Sequence, residues 1–199
     1  MIAAVIISLF VAIKDFDEGL FLLINSCNNS FFDFVMFYAS ERWVWIPFYL
    51  LLIFFLIKKT GKKTILAMLL IAAGIFITDQ SCNLVKESVQ RYRPTHNTEL
   101  KNDVHIVNDY RGGQYGFVSS HAANTACLAL FLSLILYRKQ KYIVWIMWMW
   151  ALLLSYSRIY LGVHYPSDVA GGMLVGAAAG LIIYFGYTKL EKYFSRSTV

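Results

Sequence analysis

Five apolar runs, at residues 43–57, 64–85, 122–137, 142–156 and 169–187, decide what this chain can become. Each is near or below the ~20 residues that a helix needs to cross a bilayer, and a backbone inside hydrocarbon must satisfy its hydrogen bonds internally. The expected fold class is therefore all-α: a polytopic membrane helix bundle with five to six transmembrane helices and N-terminal interfacial helices, in one membrane-embedded domain over 1–199. Composition agrees, since 58% of residues are apolar and only 15% charged, against about 25% charged in soluble domains.

Residues 1–13 are apolar but carry no basic leader and no small-residue cleavage site, so an interfacial or half-membrane helix is expected there and not a cleaved signal peptide. Residues 15–38 set Phe16, Leu20, Leu23, Phe31, Phe34 and Phe37 among Asp15, Asp17, Glu18 and Asp33, the pattern of amphipathic helices lying at an interface. A sixth span, if there is one, falls in this stretch. Cys27, Cys82 and Cys127 have no ligand spacing and are assigned to packing.

The net charge of +6 resides in loops and near the C-terminus, which makes it a topology signal and argues against a nucleic-acid partner. Lys58, Lys59, Lys62 and Lys63 follow the first run, Arg138, Lys139 and Lys141 follow the third, and Lys189, Lys192 and Arg196 follow the fifth. The positive-inside rule makes these cytoplasmic. Loops 86–118 and 157–168 then lie together on the opposite face, and three polar clusters fall in them or at their ends.

The first cluster holds Lys86 and Arg93. A helix continued through this point would align Asp79, Asn83, Lys86, Gln90 and Arg93 in one stripe, and Pro94 would end it near Tyr92 or Arg93. Direct pairing of Asp79 with Lys86 is doubtful at that spacing, and a polar link through Asn83 is expected. The second cluster is Val118-Ser119-Ser120-His121, where serine suits an N-cap and a helix N-terminus can hold an anion; Asn124 and Thr125 extend its polar face. The third carries Arg158, His164 and Asp168, with Pro166 suited to the first turn of the last helix. Each cluster alone reads as a cap, a snorkelling cation or an interfacial histidine. Together on one face they make a phosphate site with a nucleophile and an acid.

The spacing Lys86-x6-Arg93-Pro94, then Ser119-x-His121, then Ser157-Arg158-x5-His164-x3-Asp168 closely resembles the three-part motif of the type 2 phosphatidic acid phosphatase superfamily, whose relatives include vanadium haloperoxidases and glucose-6-phosphatases. The first and third motifs match fully. The second departs, because Val118 and Ser120 stand where the family usually has Pro and Gly.

The resemblance implies an integral membrane lipid phosphatase acting in two phosphoryl-transfer steps. His164 is the expected nucleophile, Asp168 its orienting carboxylate, and His121 the acid that protonates the leaving oxygen and then activates water. Lys86, Arg93, Arg158, the Ser119 hydroxyl and the Ser120 N–H are expected to hold the phosphoryl oxygens. No metal, no cofactor and no obligate protein partner are expected; the partners are the bilayer and a membrane lipid phosphate. Undecaprenyl diphosphate, a lipid A phosphate and phosphatidylglycerol phosphate are the candidate substrates, and a bacterial inner membrane with the site facing the periplasm or exterior is the expected location. Residues 95–117 are placed to cover the head group. Two other readings stay open: a phosphotransferase using the same site, and a lipid-phosphate binding or transport protein without catalysis.

Overall fold

The computed structural model describes residues 2–137 and 141–196, and among them the only regular elements are helices: α1 (Ile2–Ser26), α2 (Ser30–Ser40), α3 (Ile46–Thr60), α4 (Thr64–Val89), α5 (Ser120–Leu136), α6 (Lys141–Tyr160) and α7 (Pro166–Arg196), with short 3₁₀ turns before α3, before α4 and at Pro94–His96. Arg138 and Lys139, two of the loop charges used for topology, lie outside the described residues.

By length and composition, three helical stretches can cross a membrane, Arg42–Val89, Lys141–Tyr160 and Pro166–Phe194, or up to four if the bent pair Val11–Ser26 and Ser30–Ser40 counts as one. The first stretch contains two passes. Residues of α3 and α4 line a single cavity, with Arg42 and Lys86 at its polar end and Leu56 and Met68 among its apolar lining. The chain folds back between them at Gly61, whose φ of 55° lies in the left-handed region that glycine adopts without penalty. Helix α5, at 17 residues, is about 25 Å long, short for a full span and consistent with the marginal run from which it was read.

Helices α5 and α7 meet backbone to backbone. A Cβ at Gly172, Gly176 or Gly180 would fall 2.3 Å from the Ser119 carbonyl oxygen, 2.0 Å from the Ala123 oxygen or 2.9 Å from the Cys127 oxygen. Glycine every fourth residue therefore lets two helices approach along one stripe, as small residues do in membranes, where apolar burial alone cannot drive association. Any larger residue at 176 forces the pair apart, at a cost beyond the ~1–3 kcal/mol of ordinary overpacking. The apolar core continues through Leu132, Leu136, Met147, Ala151, Ile183 and Leu56. Large apolar side chains such as Leu50, Leu69, Phe76, Trp145, Leu174 and Phe185 face outward, as lipid contact requires.

At the N-terminus one continuous 25-residue helix joins the apolar start of the chain to the amphipathic stretch that follows, and it meets α2 at a bend of 115°. Asn29 makes the bend by capping α2, its side chain accepting from the N–H groups of Phe31 and Phe32. At the far end of α1, Asn25 donates to the carbonyls of Tyr160 (2.7 Å) and His105 (3.0 Å) and accepts from the His105 N–H (2.7 Å), fastening the helix to α6 and to the long loop. Cys27 is exposed, so its assignment to packing fails; Cys82 and Cys127 are buried.

Candidate active site

Helix α4 stops at Val89, and Gln90 takes a left-handed cap conformation, φ 51° and ψ 33°. The expected continuation to Tyr92 or Arg93 fails, so Gln90 and Arg93 do not extend the helical stripe. The chain instead forms a short antiparallel pairing, with Tyr92 opposite Tyr115, the Arg93 N–H bonded to the Gln114 carbonyl (3.1 Å) and the Gly116 N–H to the Arg91 carbonyl (2.8 Å). That pairing aims Arg93 into the site.

Six of the eight expected site residues line one cavity of 740 Å³: Lys86, Arg93, Ser120, His121, Arg158 and His164. They come from the C-terminal end of α4, the N-terminal end of α5, the C-terminal end of α6 and the loops beside them, so the three clusters meet at one end of the bundle. Below them the cavity runs among Tyr49, Leu52, Leu56, Met68, Leu128, Leu132 and Trp150. Tyr110, Gly112 and Gly113 of the long loop also line it.

The other two residues sit behind the wall. Ser119 is fully buried and caps α5, its hydroxyl accepting from the Ala122 N–H at 3.4 Å, while its own N–H donates to the Asp168 carbonyl at 2.9 Å. Asp168, on the first turn of α7 as expected, is also fully buried; its Oδ2 lies 3.4 Å from His164 Nδ1 and accepts the Tyr165 N–H at 2.9 Å. With Nδ1 carrying the proton toward Asp168, His164 Nε2 is the lone-pair nitrogen, 3.2 Å from Arg93 Nη1. Burial, and after it Arg93, Arg158 and Lys86, hold the His164 ring well below the usual imidazole range, which favours its neutral form. Burial and the Arg158 charge push the Arg93 guanidinium down to about 10, which leaves it cationic.

None of the three expected phosphate cations forms an ion pair with a described carboxylate. Lys86 Nζ donates to the Ser120 hydroxyl, Arg93 to carbonyls and His164, and Arg158 to the Tyr110 hydroxyl at 2.8 Å. Arg158 is only 2% exposed, and its Nε is buried with no partner. An uncompensated buried cation is costly, and an anion in the cavity removes that cost. Among the described residues no group of three or more His, Cys, Asp or Glu side chains is placed to hold a metal ion.

The PAP2 superfamily profile matches residues 62–192. This chain belongs to the PAP2 superfamily. A lipid A 4'-phosphatase of Bacteroides thetaiotaomicron is 37% identical over 181 residues, covering 89% of this chain and 80% of that protein. A lipid A 4'-phosphatase of Porphyromonas gingivalis is 34% identical over 177 residues, covering 88% and 74%. The crystal structure of Aquifex aeolicus LpxE superposes with a TM-score of 0.65 at 26% identity, covering 83% of this chain and 93% of that one. The chain is thus a PAP2-type lipid phosphatase, a phosphoric monoester hydrolase embedded in a membrane by several helices.

Several residues of the site escaped the sequence reading. Arg42, just before α3, is an exposed fourth cation on the cavity wall. Gly116 lies so close that a Cβ there would meet Asp168 Oδ2 at 2.9 Å and His164 Nδ1 at 3.6 Å; its place between two motifs was the available signal. Asp79 pairs with Asn124, which donates to it at 2.9 Å and also accepts from Thr78, so the link to Lys86 through Asn83 is not made. Arg91 lies inside the first motif at a position its spacing does not mark, and Asp17 carries in the sequence only the mark of an interfacial charge.

Proposed function

We propose that this PAP2 phosphatase removes a phosphate from lipid A at the extracytoplasmic face of a bacterial inner membrane, through a phosphohistidine at His164. The observation that carries the chemistry is the set of unpaired cations Lys86, Arg93 and Arg158 around the Nε2 face of a neutral, buried histidine. His164 Nε2 attacks phosphorus while the ester P–O bond breaks and His121, protonated once the phosphate anion is in the cavity, gives its proton to the departing sugar oxygen. Asp168 stabilises the imidazolium charge that results. His121 then takes a proton from water, which attacks phosphorus; the P–N bond breaks, phosphate leaves and His164 is restored. The three cations and the Ser120 N–H neutralise charge on the transferring group, and all of these residues act without a metal.

Lipid A is favoured among the candidate substrates by the two relatives that carry its name, and the cavity suits a lipid phosphate. A cationic end opens into an apolar slot between α3, α4, α5 and α6, which suits a phosphorylated head whose chains stay in the membrane. The loop charges, with Lys63 and Glu191 joined at 2.9 Å at the opposite end of the bundle, support an extracytoplasmic site.

Phosphate release from lipid A, undecaprenyl diphosphate and phosphatidylglycerol phosphate, measured with purified protein and EDTA present, tests the reading. Lipid A should give the highest kcat/KM by at least about tenfold, a 1.4 kcal/mol preference. Faster turnover of either other lipid overturns the substrate, loss of all turnover on chelation overturns the metal-free route, and absence of acid-labile phosphate on His164 during turnover overturns the intermediate. Spheroplasts should hydrolyse added substrate without lysis; a need for lysis reverses the orientation.

A further inference from the structure

The two oxygens of Asp168 serve different partners. Oδ2 faces His164 at 3.4 Å, a long contact that does little to orient a carboxylate. Its orientation comes from shorter bonds: the Tyr165 N–H to Oδ2 at 2.9 Å and Arg91 Nη1 to Oδ1 at 2.9 Å. Arg91 is itself held on three sides. Its Nη2 donates to Asp17 Oδ2 at 2.7 Å, its Nη1 donates to the Ser167 hydroxyl at 2.7 Å, and its guanidinium lies 3.9 Å from the centre of the Tyr165 ring. Asp17 closes the circuit by accepting the Ser167 N–H at 2.9 Å and the Ser167 hydroxyl. Asp17 is on α1, outside residues 62–192 that match the family, and it caps the first turn of α7 from another helix.

Neither Arg91 nor Asp17 lines the cavity, so neither can touch the phosphate. Both act on Asp168, whose terminal torsion has a broad, two-fold preference and is fixed only by its partners. We propose that Arg91 and Asp17 are positioning residues that lock the Asp168 carboxylate toward His164 Nδ1, which makes helix α1 part of the catalytic apparatus. The forked guanidinium is required because one cation must hold two carboxylates in fixed directions; an ammonium is a point charge without that geometry. Asp17 is required because it keeps Arg91 from swinging away from Asp168.

This inference rests on His164 being the nucleophile, and the full-length protein in detergent with lipid A as substrate tests the two separately. Arg91→Lys keeps the half-buried charge and should keep the melting temperature, yet lower kcat by at least about tenfold with KM within about threefold. Asp17→Asn should lower kcat less, also at constant KM. The double variant should be no worse than Arg91→Lys alone, as expected for residues acting in one chain. Arg91→Ala, if it folds, should regain part of its kcat with added methylguanidinium and not with methylammonium. Wild-type kcat in Arg91→Lys overturns the inference, as does a fall in kcat that tracks a fall in melting temperature or is divided equally with a rise in KM. If His164→Ala is inactive in the same assay, such a result removes only the role of Arg91 and Asp17; if His164→Ala is active, the reading of the site itself is wrong.

Discussion

This molecule holds two histidine–aspartate pairs, and only one of them borders the cavity that gathers the candidate site. His164 and Asp168 are buried to within 2% exposure, beside Arg93, Arg158 and Lys86, and His164 opens on the cavity. His105 and Asp33 are closer, at 2.9 Å, but about a quarter exposed, and Asp33 is shared with the Tyr160 hydroxyl at 2.7 Å. The second pair joins the long loop to α2 and α6 and does not line the cavity. A short His–Asp bond is therefore no sign of catalysis. Burial, which removes the proton from His164, and unpaired cations, which await an anion, make the difference.

The largest expected effect breaks the symmetry between the pairs. His164→Ala should cost at least about 10⁴-fold in kcat, as loss of a nucleophile does, while His105→Ala should stay within about tenfold of wild type. Equal losses would show that the loop latch and the nucleophile act as one unit. His121→Ala comes next, at about 10²–10⁴-fold for the loss of a general acid, and it should recover for p-nitrophenyl phosphate, whose leaving group needs no proton.

Arg93→Gln should cost about 10²–10³-fold and also move the pH profile. Arg93 is one of the charges that keep His164 deprotonated; without it the ring binds its proton more readily, so the acid limb of kcat/KM should shift to higher pH. Asp33→Asn, which touches His105 and the Tyr160 hydroxyl but not the cavity, should leave that limb in place. A profile that fails to move in Arg93→Gln would mean that burial, Arg158 and Lys86 hold the histidine neutral without Arg93.

The contrast also explains what could be read in advance. Lys86, Arg93, His121, Arg158, His164 and Asp168 were legible because each motif is local in sequence and the loop charges put all three on one face. The helices from α3 to α7 were legible from apolar runs. The end of α4 was not, because Pro94 restricts only Arg93, whereas the pairing of Tyr92 with Tyr115 is a tertiary event that draws the chain out of helix four residues earlier. Asp17 could not be seen either, since an acidic residue on an amphipathic helix carries no mark of the distant Ser167 and Arg91 it will meet. Ser119 was read as cap and ligand at once, and the cap is where the structure puts its hydroxyl.

The smallest expected effect concerns Ser120, which stands where the resembling pattern has glycine. Its hydroxyl accepts from Lys86 Nζ, so one of the three ammonium donors is engaged within the protein. Like the His105–Asp33 contact, this bond holds a side chain in place, yet it lies inside the site. Ser120→Gly should free that donor and tighten inhibition by inorganic phosphate by up to about fivefold, the worth of one hydrogen bond near 1 kcal/mol. It should also lower the melting temperature slightly, because glycine in the first turn of α5 adds chain entropy to the unfolded state. If phosphate inhibition weakens instead, the Ser120 hydroxyl is itself a ligand to phosphate, and Lys86 and Ser120 bind as a pair.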